Sequence, residues 1–168
     1  RTLLDAVRQD KPDVLLLSGD LTKDGEQECH KALAKQLKQL QKEVPGMKVY
    51  VINGNHDIRN SDALNFNTPD GKAVPATRTH PKDFKQIYDF VYSDPTVIAT
   101  YTPPAGKEAG GLSYVARPAD GFTLVVIDTG RYSSDNTSTG KDEHETSGAI
   151  SADLEQWVIA QIQAAKAR

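Results

Sequence analysis

Two short apolar runs, each closing on a polar, glycine-containing motif, limit what this chain can fold into more than any other feature. Asp13-Val-Leu-Leu-Leu-Ser18 leads into Gly19-Asp20, and Lys48-Val-Tyr-Val-Ile52 leads into Asn53-Gly-Asn-His-Asp57. Aliphatic and β-branched runs bounded by turn residues read as buried strands. Between them, Glu26 to Glu43 reads as a helix with Ala32, Leu33, Leu37 and Leu40 on one face and lysines on the other, stopped by Pro45-Gly46. A strand–helix–strand order implies a right-handed crossover and parallel pairing, hence an α/β fold. Each motif then lies at the end of a strand, where open α/β sheets build their sites.

The rest of the chain supports one domain over residues 1–168. From Ile58 to Gly111 six prolines punctuate the pattern, and only Lys82 to Tyr92 looks helical, with Phe84, Ile87, Tyr88 and Val91 on one face. An irregular excursion that keeps its aromatics, next to a strand end, reads as a loop/helix insertion shaping a site. Leu112 to Ala116 and Phe122 to Ile127 form an expected antiparallel hairpin around Pro118 and Gly121. Gly130 to Gly148, rich in Ser, Thr, Asp and Gly, reads as a surface loop. Ser151 caps a last helix carrying Leu154, Trp157, Val158, Gln161 and Ile162. Arg1 to Gln9 reads as the end of an amphipathic helix, so a piece of a longer protein is expected.

A net charge of −3 provides no basic excess for a nucleic-acid backbone, and no apolar stretch approaches the roughly 20 residues of a membrane span. The single Cys29 excludes an intrachain disulfide and is expected as a small apolar residue of the helix; it indicates no compartment.

Chemistry concentrates in the two motifs. The carboxylate of Asp20 has two oxygens and can bridge two divalent cations, although Gly-Asp is also an ordinary strand-ending turn. The side-chain oxygen of Asn55 is a hard, neutral ligand, which suits a site that must accept an anion. His56 can donate a proton or a hydrogen bond near neutral pH. The other histidines have plainer readings: His30 inside the helix, His80 before a proline, and His144 in the charged run Lys141 to Glu145.

The GD and GNHD motifs, in this order and on these strands, resemble the central motifs of the calcineurin-like metallophosphoesterases. The wording Ser18-Gly-Asp-Leu-Thr-Lys-Asp-Gly-Glu26 is similar to a bacterial branch like the class III cyclic-nucleotide phosphodiesterases, as is Ser113-Tyr-Val115. The later Asp128-Thr129 resembles a further segment of the family. The resemblance implies a β-sandwich flanked by helices, two metal ions (Mn, Fe or Zn), and a phosphate-ester substrate. It implies Asp20 as the bridging ligand, Asn55 as a ligand of the second metal, and His56 as the group assisting departure of the ester oxygen. In many relatives an Asp three residues after the bridging Asp pairs with that histidine; here Lys23 stands there, and Asp24 or Asp57 would orient His56 instead. The family's D-x-H strand ahead of the first helix and its G-H-x-H segment after the last helix are absent. A domain truncated at both ends, with few metal ligands of its own and inactive by itself, is therefore expected. An unpaired edge at Val14 to Leu17, which invites pairing with another chain, is expected too. The alternative is a non-catalytic relative whose loops bind a partner.

Overall fold

The computed structural model describes residues 2–131 and 148–167. The first helix, α1 (Leu3–Asp10), begins at Thr2, whose side chain accepts from the Asp5 amide while the Asp5 carboxylate accepts from the Thr2 amide. That reciprocal capping box satisfies the first-turn donors of α1. Strand β1 (Val14–Leu17), helix α2 (Gln27–Glu43) and strand β2 (Lys48–Val51) follow. β1 and β2 pair in parallel, Val14 opposite Lys48 through Leu17 opposite Val51. Both motifs therefore emerge at the same end of the same sheet.

Helix α2 buries His30, Ala34, Leu37 and Leu40. This face is rotated from the expected one: Ala32 is exposed and Leu33 only half-buried, because the polar His30 belongs to the inner stripe. Cys29 is exposed, one position round the helix from that stripe, rather than buried or half-buried as its place in the helix suggested.

Two short strands, β3 (Leu64–Asn65) and β4 (Val74–Pro75), form a small antiparallel pair inside the excursion. Helices α3 (Pro81–Ile87) and α4 (Asp89–Tyr92) correspond to the expected helix, broken at Tyr88. The excursion also holds a strand that the sequence concealed. β5 (Val97–Thr100) pairs with β6 (Tyr114–Ala119), which pairs with β7 (Phe122–Val126), giving an antiparallel sheet in the order β5-β6-β7. Pro95, Pro103 and Pro104 flank this four-residue run closely enough to hide its β-branched pattern.

The core lies between α2, β2, α3–α4 and β6. Leu37, Leu40, Val49, Tyr50, Val51, Phe84, Tyr88, Val91 and Tyr114 are buried there. The rings of Phe84 and Tyr88 are 4.6 Å apart, and those of Tyr92 and Tyr114 5.2 Å apart in an edge-on pair. The two main sheets are tied by Tyr114, whose hydroxyl donates to the Val51 carbonyl at 2.9 Å. Asp128 closes the end of the β6–β7 layer: its carboxylate accepts from the amides of Leu112 and Gly130.

Helix α5 (Ala152–Lys166) starts where Ser151 accepts from the Leu154 amide. Leu154 is its one buried residue, while Trp157 is half-buried against Tyr101 and Ile159 and Ile162 are exposed. The apolar face expected for this helix is thus only partly covered among the described residues. Strand β1 likewise has a single partner there, with Leu16 53% exposed. A cavity of about 230 Å³ separates β1 and β2 from β7. Of the expected surface loop, residues 132–147 lie outside the described residues, and His144 with them.

Candidate metal centre

After β1 the backbone turns through Gly19 (φ +105°) and Asp20 (φ +48°), and after β2 it turns through Asn53 and Gly54. The two turns press together. A Cβ on Gly19 would lie 2.5 Å from the Gly54 nitrogen, and one on Gly54 would lie 2.1 Å from Asp20 Oδ1 and 2.4 Å from the Asp20 nitrogen. Real carbon atoms do not approach so closely, so both glycines are required by contact, and Gly19 by its conformation as well. The approach brings Asp20 Oδ1 within 3.3 Å of the His56 amide, which donates to it. Asp20, Asn55 and His56 are thereby gathered at one end of the β1–β2 sheet.

Asp57 holds the two turns in place. It is fully buried. Its Oδ1 accepts from the Thr22 amide (3.0 Å) and hydroxyl (3.2 Å), and its Oδ2 accepts from the amides of Leu21 (3.1 Å) and Gly54 (2.8 Å). One carboxylate therefore satisfies three backbone donors from two loops. With its oxygens so used, Asp57 acts on the backbone rather than on the His56 ring.

The carboxylate beside that ring is Asp24. His56 Nδ1 lies 3.5 Å from Asp24 Oδ1. Burial pushes the Asp24 carboxyl up, but the neighbouring Lys23 ammonium and the contact with His56 outweigh it and hold it below the usual carboxylate range. Asn60 adds its amide, donating to Asp24 Oδ1 at 3.4 Å and to the His56 carbonyl at 3.3 Å. Lys23, the departure from the family pattern, pairs with Asp24 directly.

The excursion comes back to this end of the sheet. Gln27 donates to the Thr77 carbonyl, Thr79 to that of Gly25, and Arg59 to that of Thr79, each at 2.9 Å. Arg59 itself is held at φ +54°.

Asn55 is half-buried and its side chain makes no hydrogen bond among the described residues. His56 keeps 42% of its side chain exposed. Both can meet a ligand without first breaking a strong contact. The family model for calcineurin-like phosphoesterases matches residues 1–157. The chain belongs to the calcineurin-like phosphoesterase family. No curated protein matches it. Metal-dependent phosphoester hydrolysis is the general chemistry of calcineurin-like phosphoesterases, and the mixed α/β architecture agrees with this membership.

The donors present fall short of that chemistry's full requirement. Asp20 and Asn55 are two oxygen donors, whereas two ions need several carboxylates and imidazoles. Among the described residues no group of three or more His, Cys, Asp or Glu side chains could hold a metal ion.

Sequence reasoning passed over two residues of this calcineurin-like domain. Thr22 bonds Asp57 through both its amide and its hydroxyl, and His30 is fully buried behind Asp57. The signal for Thr22 lay in the Gly-Asp-Leu-Thr wording. For His30 it lay in a polar residue on the apolar stripe of α2.

Burial pushes the His30 imidazole below its ordinary value of 6.5, while Asp57 pulls more weakly the other way. The unfolded chain therefore takes up that proton before the folded chain does. The stability tied to neutral His30 is complete above about pH 6.5 and declines as pH falls below it. Urea midpoints measured from about pH 7 to about pH 5 should fall, and His30→Gln, which takes no proton, should flatten the decline. An unchanged slope in His30→Gln would assign the acid sensitivity to other groups.

Proposed function

We propose that this chain carries the central part of a site that hydrolyses a phosphomonoester or phosphodiester. The observation that supports it best is the convergence of Asp20, Asn55 and His56 at the ends of two paired parallel strands, clamped by Asp57. Asp20 is the bridging ligand and Asn55 a ligand of the second metal. Mn, Fe or Zn suits mixed oxygen and imidazole donors, and such ions when bound neutralise charge on the phosphate. His56 acts on the leaving group. With Nδ1–H held toward Asp24, its protonated ring donates from Nε2 to the ester oxygen as the P–O bond breaks, and water supplies the new oxygen on phosphorus. Asp24, 3.5 Å from Nδ1, orients the ring. The Gly-Asp-Leu-Thr and GNHD wording leans toward a phosphodiester substrate of the cyclic-nucleotide type.

The test is turnover of bis(p-nitrophenyl) phosphate with Mn²⁺, by this chain and by any longer natural form that contains it. The chain by itself should be essentially inactive and should bind fewer than two Mn²⁺, because its donors are too few. In an active form, Asp20→Asn or Asn55→Ala should abolish turnover through loss of metal. His56→Ala should lower kcat by about 10²–10⁴-fold with metal retained. Loss of metal in His56→Ala would overturn the leaving-group role.

A second reading, a non-catalytic relative whose degenerate site serves partner binding, is supported by the same shortage of donors. Metal content of an active-length form separates the two. Among the described residues β1 pairs only with β2, and this open edge also supports self-association by strand pairing. Sedimentation should show concentration-dependent association that Leu16→Lys abolishes; a monomer at all concentrations would refute it.

A further inference from the structure

His30 presents an anomaly that the proposed chemistry leaves unused. It sits on the inner stripe of α2 with Ala34, Leu37 and Leu40, a place that an apolar side chain would suit. It is wholly buried, and burying an imidazole costs free energy unless its nitrogens are satisfied. They are satisfied by one particular set of partners.

Nε2 lies 3.3 Å from the Asp57 carbonyl and 3.5 Å from Asp57 Oδ1, both acceptors, and 3.3 Å from the Thr22 hydroxyl. Nδ1 lies 3.0 Å from the Tyr88 hydroxyl. A neutral imidazole has one donor and one acceptor, so this arrangement selects a single tautomer. Nε2–H donates toward Asp57, and Nδ1 accepts from the Tyr88 O–H. The rings of Phe84 and Tyr88 stand edge-on to the imidazole at 5.4 and 5.8 Å, which fixes its plane. Tyr88 belongs to the excursion, at the break between α3 and α4, and is itself fully buried.

We propose that His30 is a positioning residue, which with Tyr88 behind it fixes Asp57 and so sets the spacing of the turns that carry Asp20 and Asn55. The consequence is a buried connection from the excursion, through α2, to the strand ends. Asp57 can serve three backbone donors only while its carboxylate keeps one orientation. His30 backs that orientation from α2, with its Nε2 against the Asp57 carbonyl, Asp57 Oδ1 and the Thr22 hydroxyl. Removing the imidazole takes away the partner of the Asp57 carbonyl and the contact at Oδ1, so the amides of Leu21, Thr22 and Gly54 are held less firmly by their common acceptor. The proposal rests on the phosphoesterase reading only for what the turns hold, not for the connection itself.

Nuclear magnetic resonance of the ¹⁵N-labelled chain tests it without requiring turnover. The His30 ring shifts should report the Nε2–H tautomer. In Tyr88→Phe, which deletes one hydroxyl, amide exchange at Leu21, Thr22 and Gly54 should speed up several-fold relative to Leu37 and Leu40 in α2. In His30→Phe the relative acceleration should reach about tenfold, and His30→Gln, which keeps a donor, should recover part of it. A merely structural role would accelerate all of these amides together. The proposal is overturned by an Nδ1–H tautomer, or by relative exchange rates that do not change in a folded variant. If His30→Phe does not fold, Tyr88→Phe decides. Failure of the phosphoesterase reading would appear separately, as absent turnover in a longer form with these exchange ratios still shifted.

Discussion

Gly19→Ala is expected to destabilise the protein by about 3–5 kcal/mol, enough to lower Tm by roughly 10 °C in a domain of this size. Two costs combine. The position requires φ +105°, a region that L-residues rarely enter, and a Cβ there would meet the Gly54 nitrogen at 2.5 Å and its Cα at 2.7 Å. The neighbour is backbone, so no side chain can swing aside. The turns would have to separate, and the contact of Asp20 Oδ1 with the His56 amide would go with them. Gly46→Ala is the control. It also has a positive φ, +90°, but no atom lies within 4 Å of its Cβ position, so it should cost only about 1–2 kcal/mol. Equal losses from the two substitutions, measured by thermal or urea unfolding, would show that close packing of the turns contributes nothing.

Asp57→Ala should rank next, at about 3–4 kcal/mol, for a different reason. The substitution leaves the partly buried amides of Leu21, Thr22 and Gly54 without their acceptor, at roughly 1–3 kcal/mol for each group left unsatisfied and less where water or relaxation of the turns supplies a partner. Asp57→Asn keeps one oxygen but turns an NH₂ toward donors, so it should recover less than half of the loss. In an active form either substitution should reduce metal binding although Asp57 is not itself a ligand. Asp20→Asn should separate the two effects: Asp20 is exposed, so metal should be lost while unfolding free energy stays within about 1 kcal/mol. If Asp57→Ala left stability intact, the clamp would be without energetic weight.

Much of the fold was legible because the clues were local. Periodicity marked α2, and the Pro-Gly stop and the aliphatic runs placed β1 and β2 within a residue or two of their bounds. The hairpin β6–β7 and the Ser151 cap were also readable, although Pro118, expected in the turn, lies within β6, which runs on to Ala119 past an irregularity. Strand β5 was not, because four residues between prolines become a strand only through pairing with β6. The inner face of α2 was misplaced because a histidine was counted as polar, where burial beside Tyr88 and Asp57 makes it part of the core.

The candidate site divides along the same line. Asp20, Asn55 and His56 could be singled out from sequence, since strand-end motifs are made of adjacent residues and the required chemistry limits their type. The sequence by itself therefore pointed to the strand–helix–strand core and the family, and singled out Asp20, Asn55 and His56 as the candidate residues. Only the tertiary structure decided how they are arranged. It placed Asp24 beside the His56 ring and committed Asp57 to the turns. It also made His30 and Tyr88 the support behind Asp57, through contacts spanning 27 to 58 residues of chain. Such contacts depend on how two loops and two helices pack in space, and no local pattern of residues encodes which carboxylate that packing will bury.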